Sequence, residues 1–222
     1  MNMTKTLAIE PKKQETKDKI LEAAQQVFAT YSYNSAGIRM ISELAGVDHP
    51  LIKYYFGSKA DLFREVISRM RMQRTELQKN WLTSVRGMGP TRGFSLFLDY
   101  VLEDYRKRPG LLHLVSLNFR QADQKKQTPG FDLIEDFVQT EIVNIKESLG
   151  IDVPEHEAEM WVRTLVLTKI SFLGGSSNHA KMMGMDPKSI VYFNWVKEAI
   201  LFNFLPSLKL MIQRSSSSEK KE

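Results

Sequence analysis

The sequence predicts an all-α protein, with an N-terminal three-helix helix-turn-helix domain and a larger helical domain behind it. Three observations carry this expectation. The helix formers Leu, Ala, Glu, Lys, Met and Gln are plentiful, while the 12 Gly and 8 Pro stand mostly at segment edges. Apolar residues recur at helical spacing, and the alternation of a half-buried strand is hard to find. The stretch from Ile38 to Tyr55 reads as two short helices joined at one glycine. With 222 residues, 42% of them hydrophobic and 26% charged, the chain is large enough to bury the cores of a small and a medium domain.

Residues 1–15 are polar and lysine-bearing and are expected to form a disordered basic arm. A first helix is expected from Thr16, its N-cap, with Ile20, Ala24, Val27, Phe28 and Tyr31 on one apolar stripe. The run Tyr31-Ser-Tyr-Asn-Ser breaks the pattern, and Asn34 or Ser35 can cap the next helix. That second helix, from about Gly37 to Ala45, ends at Gly46, where a steep turn needs a residue tolerant of positive φ. Ser42 is the small residue where the two helices meet. The third helix runs from about His49 to Tyr55 with Pro50 in its first turn, where a missing N–H costs nothing. Ile41, Ala45, Val47, Ile52 and Tyr55 point inward. Asp48, His49, Pro50, Lys53 and Tyr54 point out, as residues that read bases and phosphates would. Phe56-Gly57 breaks the chain, and Ser58-Lys-Ala-Asp61 is a capping box for a fourth helix. Lys59 opposes the dipole at that helix start, a misfit that an anionic partner would relieve. The fourth helix carries Leu62, Phe63, Val66, Ile67 and Met70 on one side and turns Arg64, Arg69, Arg71 and Arg74 mostly elsewhere.

Beyond it, Gly87-Met-Gly-Pro90 is a break, and a helix runs from Thr91 or Arg92 to Lys107. Arg108-Pro-Gly110 is a turn before a short apolar helix from Leu111 to Arg120. Residues 121–127 are loop-like. Thr128-Pro129 caps a helix that stops near Gly150, and Pro154 opens another that ends at Gly174-Gly-Ser-Ser177. Lys181 to Met185 reads as a mobile loop. Pro187 opens a last helix to about Phe204, with Pro206 expected to kink or interrupt it, and residues 214–222 form a disordered tail.

The absence of cysteine removes disulfides, thiolate metal sites and a Cys nucleophile, and suits a cytoplasmic location. Signal-peptide and membrane-spanning apolar runs are both missing, so no membrane association is expected. The net charge of +5 is unevenly held: residues 1–74 carry 12 Lys and Arg against 8 Asp and Glu. The cationic excess thus lies with the helix-turn-helix, as nucleic-acid binding would have it. No pair of the four histidines has metal-ligand spacing, and neither a nucleophile elbow nor a phosphate loop is present. No enzyme activity, metal or cofactor is expected.

Residues 16–67 resemble the DNA-binding domain of the tetracycline-repressor family of transcription regulators. The matching positions are Ile20-Leu-Glu-Ala-Ala24, Phe28, Tyr33, Ile38-Arg39, Ile41, Glu43, Ala45-Gly-Val47, Ile52, Tyr55-Phe56, Ser58-Lys59 and Leu62. The resemblance implies that Arg39 contacts phosphate or a base edge, that His49, Pro50 and Leu51 meet the groove, that Lys53, Tyr54 and Tyr55 contact phosphates or bases, and that Lys59 meets a phosphate. Gly37 stands where the family often has a hydroxyl residue, Leu51 where a small residue is common, and Lys53 where Tyr is common.

For residues 68–213 the resemblance is one of length and helical character. It implies an effector-binding and dimerisation domain, a fourth helix that moves when ligand binds, and a homodimer formed through helices at about 154–173 and 187–204. Phe97, Tyr100, Val101, His113, Leu117, Phe137, Trp161, Leu165 and Phe172 are the candidates to line a pocket for a small apolar or aromatic effector; each is otherwise a core residue, and His113 a satisfied core histidine. The expected function is a ligand-responsive repressor that binds a near-palindromic double-stranded operator. The alternatives are an architectural DNA-binding protein without an effector, or a helical enzyme or carrier that keeps the helix-turn-helix as structure.

Overall fold

The structure, a computed structural model, describes residues 3–119, 129–149 and 155–218. Among these residues it contains ten α-helices and no strand: α1 (Met3–Thr30), α2 (Ile38–Ala45), α3 (His49–Phe56), α4 (Lys59–Val85), α5 (Pro90–Lys107), α6 (Gly110–Phe119), α7 (Phe131–Leu149), α8 (Glu155–Lys169), α9 (Ser176–Met182) and α10 (Ile190–Ser218). A π-helical turn, Ile170–Gly174, continues α8. The expected loop at 121–127, the Thr128 cap, the Gly150 stop and the Pro154 start lie outside the described residues. Among those described, no helix is long and apolar enough to cross a membrane.

Three expected boundaries move. Thr16 does not cap α1. It lies inside the helix, its hydroxyl donating to the Lys12 carbonyl at 3.0 Å, and the backbone of residues 12–15, expected to belong to the arm, is helical. The Lys19–Glu15 pair at 2.7 Å and the Gln14–Asp18 hydrogen bond at 3.1 Å join residues four apart there. Residues 181–185 are not simply a loop, because α9 covers Ser176–Met182. Finally, α10 starts at Ile190 and passes through Pro206 to Ser218. Its start is capped by the Ser189 hydroxyl, which accepts from the Tyr192 N–H at 3.1 Å. Its continuation has a packing cause. Tyr192, Val196, Ile200, Phe204, Leu208 and Met211 form one buried stripe on both sides of Pro206, and burying it outweighs the lost backbone bond.

Ile20, Ala24, Phe28, Ile41, Ile52, Leu62 and Phe63 form the head core, with Phe28 and Phe63 edge to face at 4.8 Å. The body core is built from Leu98, Val101, Ile134, Phe137, Val162, Val166 and Leu173. Helix α4 belongs to both: Leu62 to Ile67 pack in the head, while Arg74, Gln78 and Leu82 are buried further along. Arg74 was expected to face away from the core. Instead it lies inside a cluster of charges. Its Nη1 pairs with Asp104 of α5, and its Nε donates to Glu141 of α7 at 3.4 Å. Glu141 also accepts from Lys169 of α8 at 2.7 Å, and Arg108 pairs with Asp104 at the exposed edge. Two cations and two carboxylates are thus buried together, so no net charge is left in the interior. Burial pushes the Glu141 carboxyl up, but the Lys169 ammonium and Arg74 guanidinium outweigh it and hold it below the ordinary carboxylate range.

Helix α6 is the wedge between head and body. Gly174 lies so close to it that a Cβ there would stand 2.5 Å from the Leu112 carbonyl oxygen, so no side chain fits. On the same side, the Tyr105 hydroxyl bonds the His113 ring at 2.7 Å and Ser176 Oγ at 2.9 Å. Tyr192 donates its hydroxyl to the Phe172 carbonyl at 2.7 Å; burial raises that phenol to about 12, so it stays a donor at neutral pH.

Candidate nucleic-acid interface

The turn between α2 and α3 is set by Gly46, whose φ of 65° lies in the left-handed region that disfavours side chains. Its N–H and that of Val47 close α2 by donating to the Glu43 and Ser42 carbonyls. Ser42 is buried at the helix contact, its hydroxyl returned to the Arg39 carbonyl at 2.9 Å. Ile41 and Ile52 are buried, and Ala45, Val47 and Tyr55 are half-buried against the same core, as the inward pattern predicts. Residues 49–51 make the first turn of α3 with Pro50 in it, and the N–H of Leu51 donates to the Asp48 carbonyl at 2.9 Å.

Arg39, His49, Pro50, Lys53 and Tyr54 are exposed, while Leu51, Tyr55 and Lys59 are half-buried. Tyr54 is 67% exposed, a high value for an aromatic ring, and meets Tyr55 edge to face at 5.1 Å. Two cations of α1 flank this surface, and neither carries a local signal in the sequence. Lys13 Nζ lies 5.4 Å from the Tyr54 ring and Lys17 Nζ lies 5.6 Å from the Phe56 ring.

Helix α4 begins with half of the capping box expected: Ser58 caps it, but the Ser58 N–H donates to the Phe56 carbonyl at 2.9 Å rather than to the Asp61 carboxylate. The Asp61 N–H donates to Ser58 Oγ at 3.1 Å, and the Ser58 hydroxyl donates to the Asp61 carboxylate at 2.5 Å. Lys59 stands beside this cap with its Nζ 4.5 Å from the Tyr33 ring, and burial lowers its pKa. The aromatic face therefore offsets part of the dipole misfit, and the ammonium is held in place rather than free in solvent. Tyr33 is itself anchored: its N–H donates to Oδ1 of the fully buried Asn118 of α6 at 3.0 Å, and Asn118 Nδ2 donates to the Leu114 carbonyl at 2.8 Å.

The family model of bacterial regulatory proteins of the tetR family matches residues 20–66. By this match, residues 20–66 form a tetR-type head. The curated relatives it resembles include the HTH-type transcriptional repressor BepR of Brucella suis, 36% identical over 63 residues, which are 28% of this chain and 30% of that one. NicS of Pseudomonas putida, also an HTH-type transcriptional repressor, is 42% identical over 55 residues, 25% of this chain and 26% of that one. The chain thus matches less than a third of the length of either. The fold likeness runs further. A TetR family transcriptional regulator from Agrobacterium tumefaciens superposes with a TM-score of 0.67 at 18% identity, over 86% of this chain and 98% of that one. NalD of Pseudomonas aeruginosa, the secondary repressor of the MexAB-OprM multidrug efflux pump, superposes with a TM-score of 0.59 at 17% identity, over 88% and 97%.

Behind the tetR-type head, the expected pocket residues divide. Phe97, Trp161 and Leu165 line a cavity of about 120 Å³ at the α4–α5 turn. Tyr100 stacks on Trp81 at 6.2 Å instead, and Val101 and Phe137 are buried in the core. His113 is satisfied by Tyr105, and burial lowers its pKa, which favours the neutral ring. Leu117 is half-buried on α6, and Phe172 packs edge to face with Trp195 at 5.4 Å. Sequence reasoning missed Arg86 at the cavity mouth, because a lone arginine in a glycine-rich turn carries no periodic signal. Among the described residues, no group of three or more His, Asp or Glu could hold a metal ion.

Proposed function

We propose that this chain is a DNA-binding transcriptional regulator of the tetR family, a ligand-responsive repressor acting as a homodimer on a near-palindromic operator. The observation that carries the reading is the outer surface of α3, where Lys53, Tyr54, His49 and Pro50 are exposed on a helix locked from behind by Ile52 and Gly46. A helix presented this way fits the major groove, and in this reading Arg39, Lys59 and the α1 cations Lys13 and Lys17 would contact phosphates. Leu51 and Tyr55, half-buried, would meet the groove with only part of their side chains.

The dimer reading rests on α8 and α10. Met160 and Leu167 are exposed on α8, Phe202 and Leu210 on α10, and an open groove of about 510 Å³ runs between the two helices. A two-fold pairing through this face would cover these residues and set two α3 helices about one DNA turn, roughly 34–36 Å, apart. Repressors with the same head among the relatives support the sign of regulation.

The test is selection of genomic fragments by purified protein at about 150 mM salt, where unscreened surface attraction is largely removed. One enriched palindrome is the expected outcome; salt-labile binding without sequence preference favours an architectural role instead. Within the enriched site, Lys53→Ala is expected to weaken binding across sequences and to reduce the salt slope by about one unit, as loss of one phosphate contact requires. An unchanged slope with altered sequence preference would make Lys53 a base reader.

A further inference from the structure

The cavity at the α4–α5 turn has walls and a mouth of different chemistry. Leu82 of α4, Phe94 and Phe97 of α5, Ile145 of α7, and Trp161 and Leu165 of α8 form apolar walls. The mouth is the turn itself, with Arg86, Gly87, Met88 and Pro90, closed on the other side by Leu208 and Ile212 of α10. Among the described residues, Arg86 is the only ionisable one of the lining, and no acidic side chain lines the cavity beside it. The Arg86 guanidinium is exposed, and among the described residues it makes neither an ion pair nor a side-chain hydrogen bond. The Trp161 indole is held in place by its Nε1, which donates to the Phe204 carbonyl at 3.1 Å and Ser207 Oγ at 3.0 Å, so the wall is fixed rather than collapsible.

We propose that this cavity receives a small amphipathic monoanion, a single ring or short chain bearing one carboxylate, with the apolar part between Phe97 and Leu165 and the carboxylate on Arg86. The size sets the apolar part: an apolar cavity of roughly 150 Å³ takes one benzene ring, and this one is about 120 Å³. The charge sets the head. An unpaired guanidinium at the edge of an apolar pocket matches a carboxylate in two parallel hydrogen bonds, and a second negative charge would have no partner among the apolar walls. The position also matters. The turn holding Arg86 ends α4, whose first residues cap the DNA-binding head, so an occupant that pulls on the turn pulls on the helix shared by both cores. This assignment rests on the ligand-responsive reading above and names the class of its effector.

The test uses the full chain with benzoate and the straight-chain acids from butanoate to octanoate, each beside its matching alcohol. Affinity is read by calorimetry and by tryptophan emission, and release of the enriched DNA fragment is followed in parallel. At least one acid is expected to bind more tightly than its alcohol and to release DNA. Arg86→Gln should weaken that acid about 10- to 100-fold, the worth of a hydrogen bond between charged groups, and leave the alcohols unchanged. Arg86→Lys should restore part of the loss. Acid and alcohol binding equally, an Arg86→Gln variant indistinguishable from wild type, or no acid binding while specific DNA binding is intact would each overturn the assignment and leave the regulator reading in place. Loss of specific DNA binding by the wild type would instead overturn the reading on which it rests.

Discussion

Glu141→Ala is expected to lower the unfolding free energy by about 3–5 kcal/mol, because removing one partner of a buried ion pair leaves its cations uncompensated. Lys169 and Arg74, both buried, share this one carboxylate from opposite sides. Denaturant titration should show a lower midpoint at unchanged slope. The double variant Glu141→Leu with Lys169→Met is expected to lose less than Glu141→Ala alone, since it removes a balanced pair and leaves Arg74 with Asp104. The acid side gives a second check. The folded-state pKa of Glu141 lies below the ordinary value of 4.5. Its contribution is therefore fully present above that value and is lost as the pH falls through the folded-state value. The stability curve of Glu141→Ala should be flatter than that of wild type in this window. A loss below about 1 kcal/mol, the scale of an exposed pair, would mean that water reaches the cluster.

The largest functional loss is expected from Phe202→Glu. Phe202 is 82% exposed on α10, where an isolated chain gains nothing from a large apolar ring. If that face pairs two chains, a carboxylate on each side of the two-fold axis repels its copy, and the protein becomes monomeric. A monomer engages one half-site at a time, so operator affinity should fall about 10²- to 10⁴-fold, the worth of the second, tethered contact. Light scattering gives the mass and a filter or polarisation assay gives the affinity. Met182→Glu is the control. Met182 is 85% exposed on α9, a helix that belongs to neither side of the proposed seam, and its change should leave both mass and affinity as they are. Equal losses from both variants would remove α10 from the dimer seam.

The head was the legible part of this chain because its signals are local. Gly46 at a left-handed turn, Pro50 in a first turn and Ser58 three residues before Asp61 each act within a few residues, and each stands where the spacing puts it. The long-range features escaped. Arg74, Asp104, Glu141 and Lys169 come from four helices, and each looks in sequence like the charged position of a solvated face; nothing near Lys169 announces a carboxylate 28 residues earlier. The same limit applies to the pocket. Phe97 and Leu165 are distinguished from Val101 and Phe137 only by which neighbours leave a gap, a property of packing that periodicity does not carry. Pro206 misled for a related reason, since the stripe that carries α10 through it is stabilised by α5 and α8 rather than by α10 itself.

The hydrogen bond from the Tyr33 N–H to Asn118 gives the head a loop amide whose partner belongs to the body. Amides in surface loops ordinarily trade their protons with water at almost no free-energy cost. This one is released only when α6 separates from the loop, so its isotope exchange should be slow and should track the opening of the head from the body rather than the motion of the loop. A single proton thereby becomes a gauge of docking between the two halves. An effector that loosens that docking should speed its exchange with the DNA absent, and one that leaves the docking intact should not.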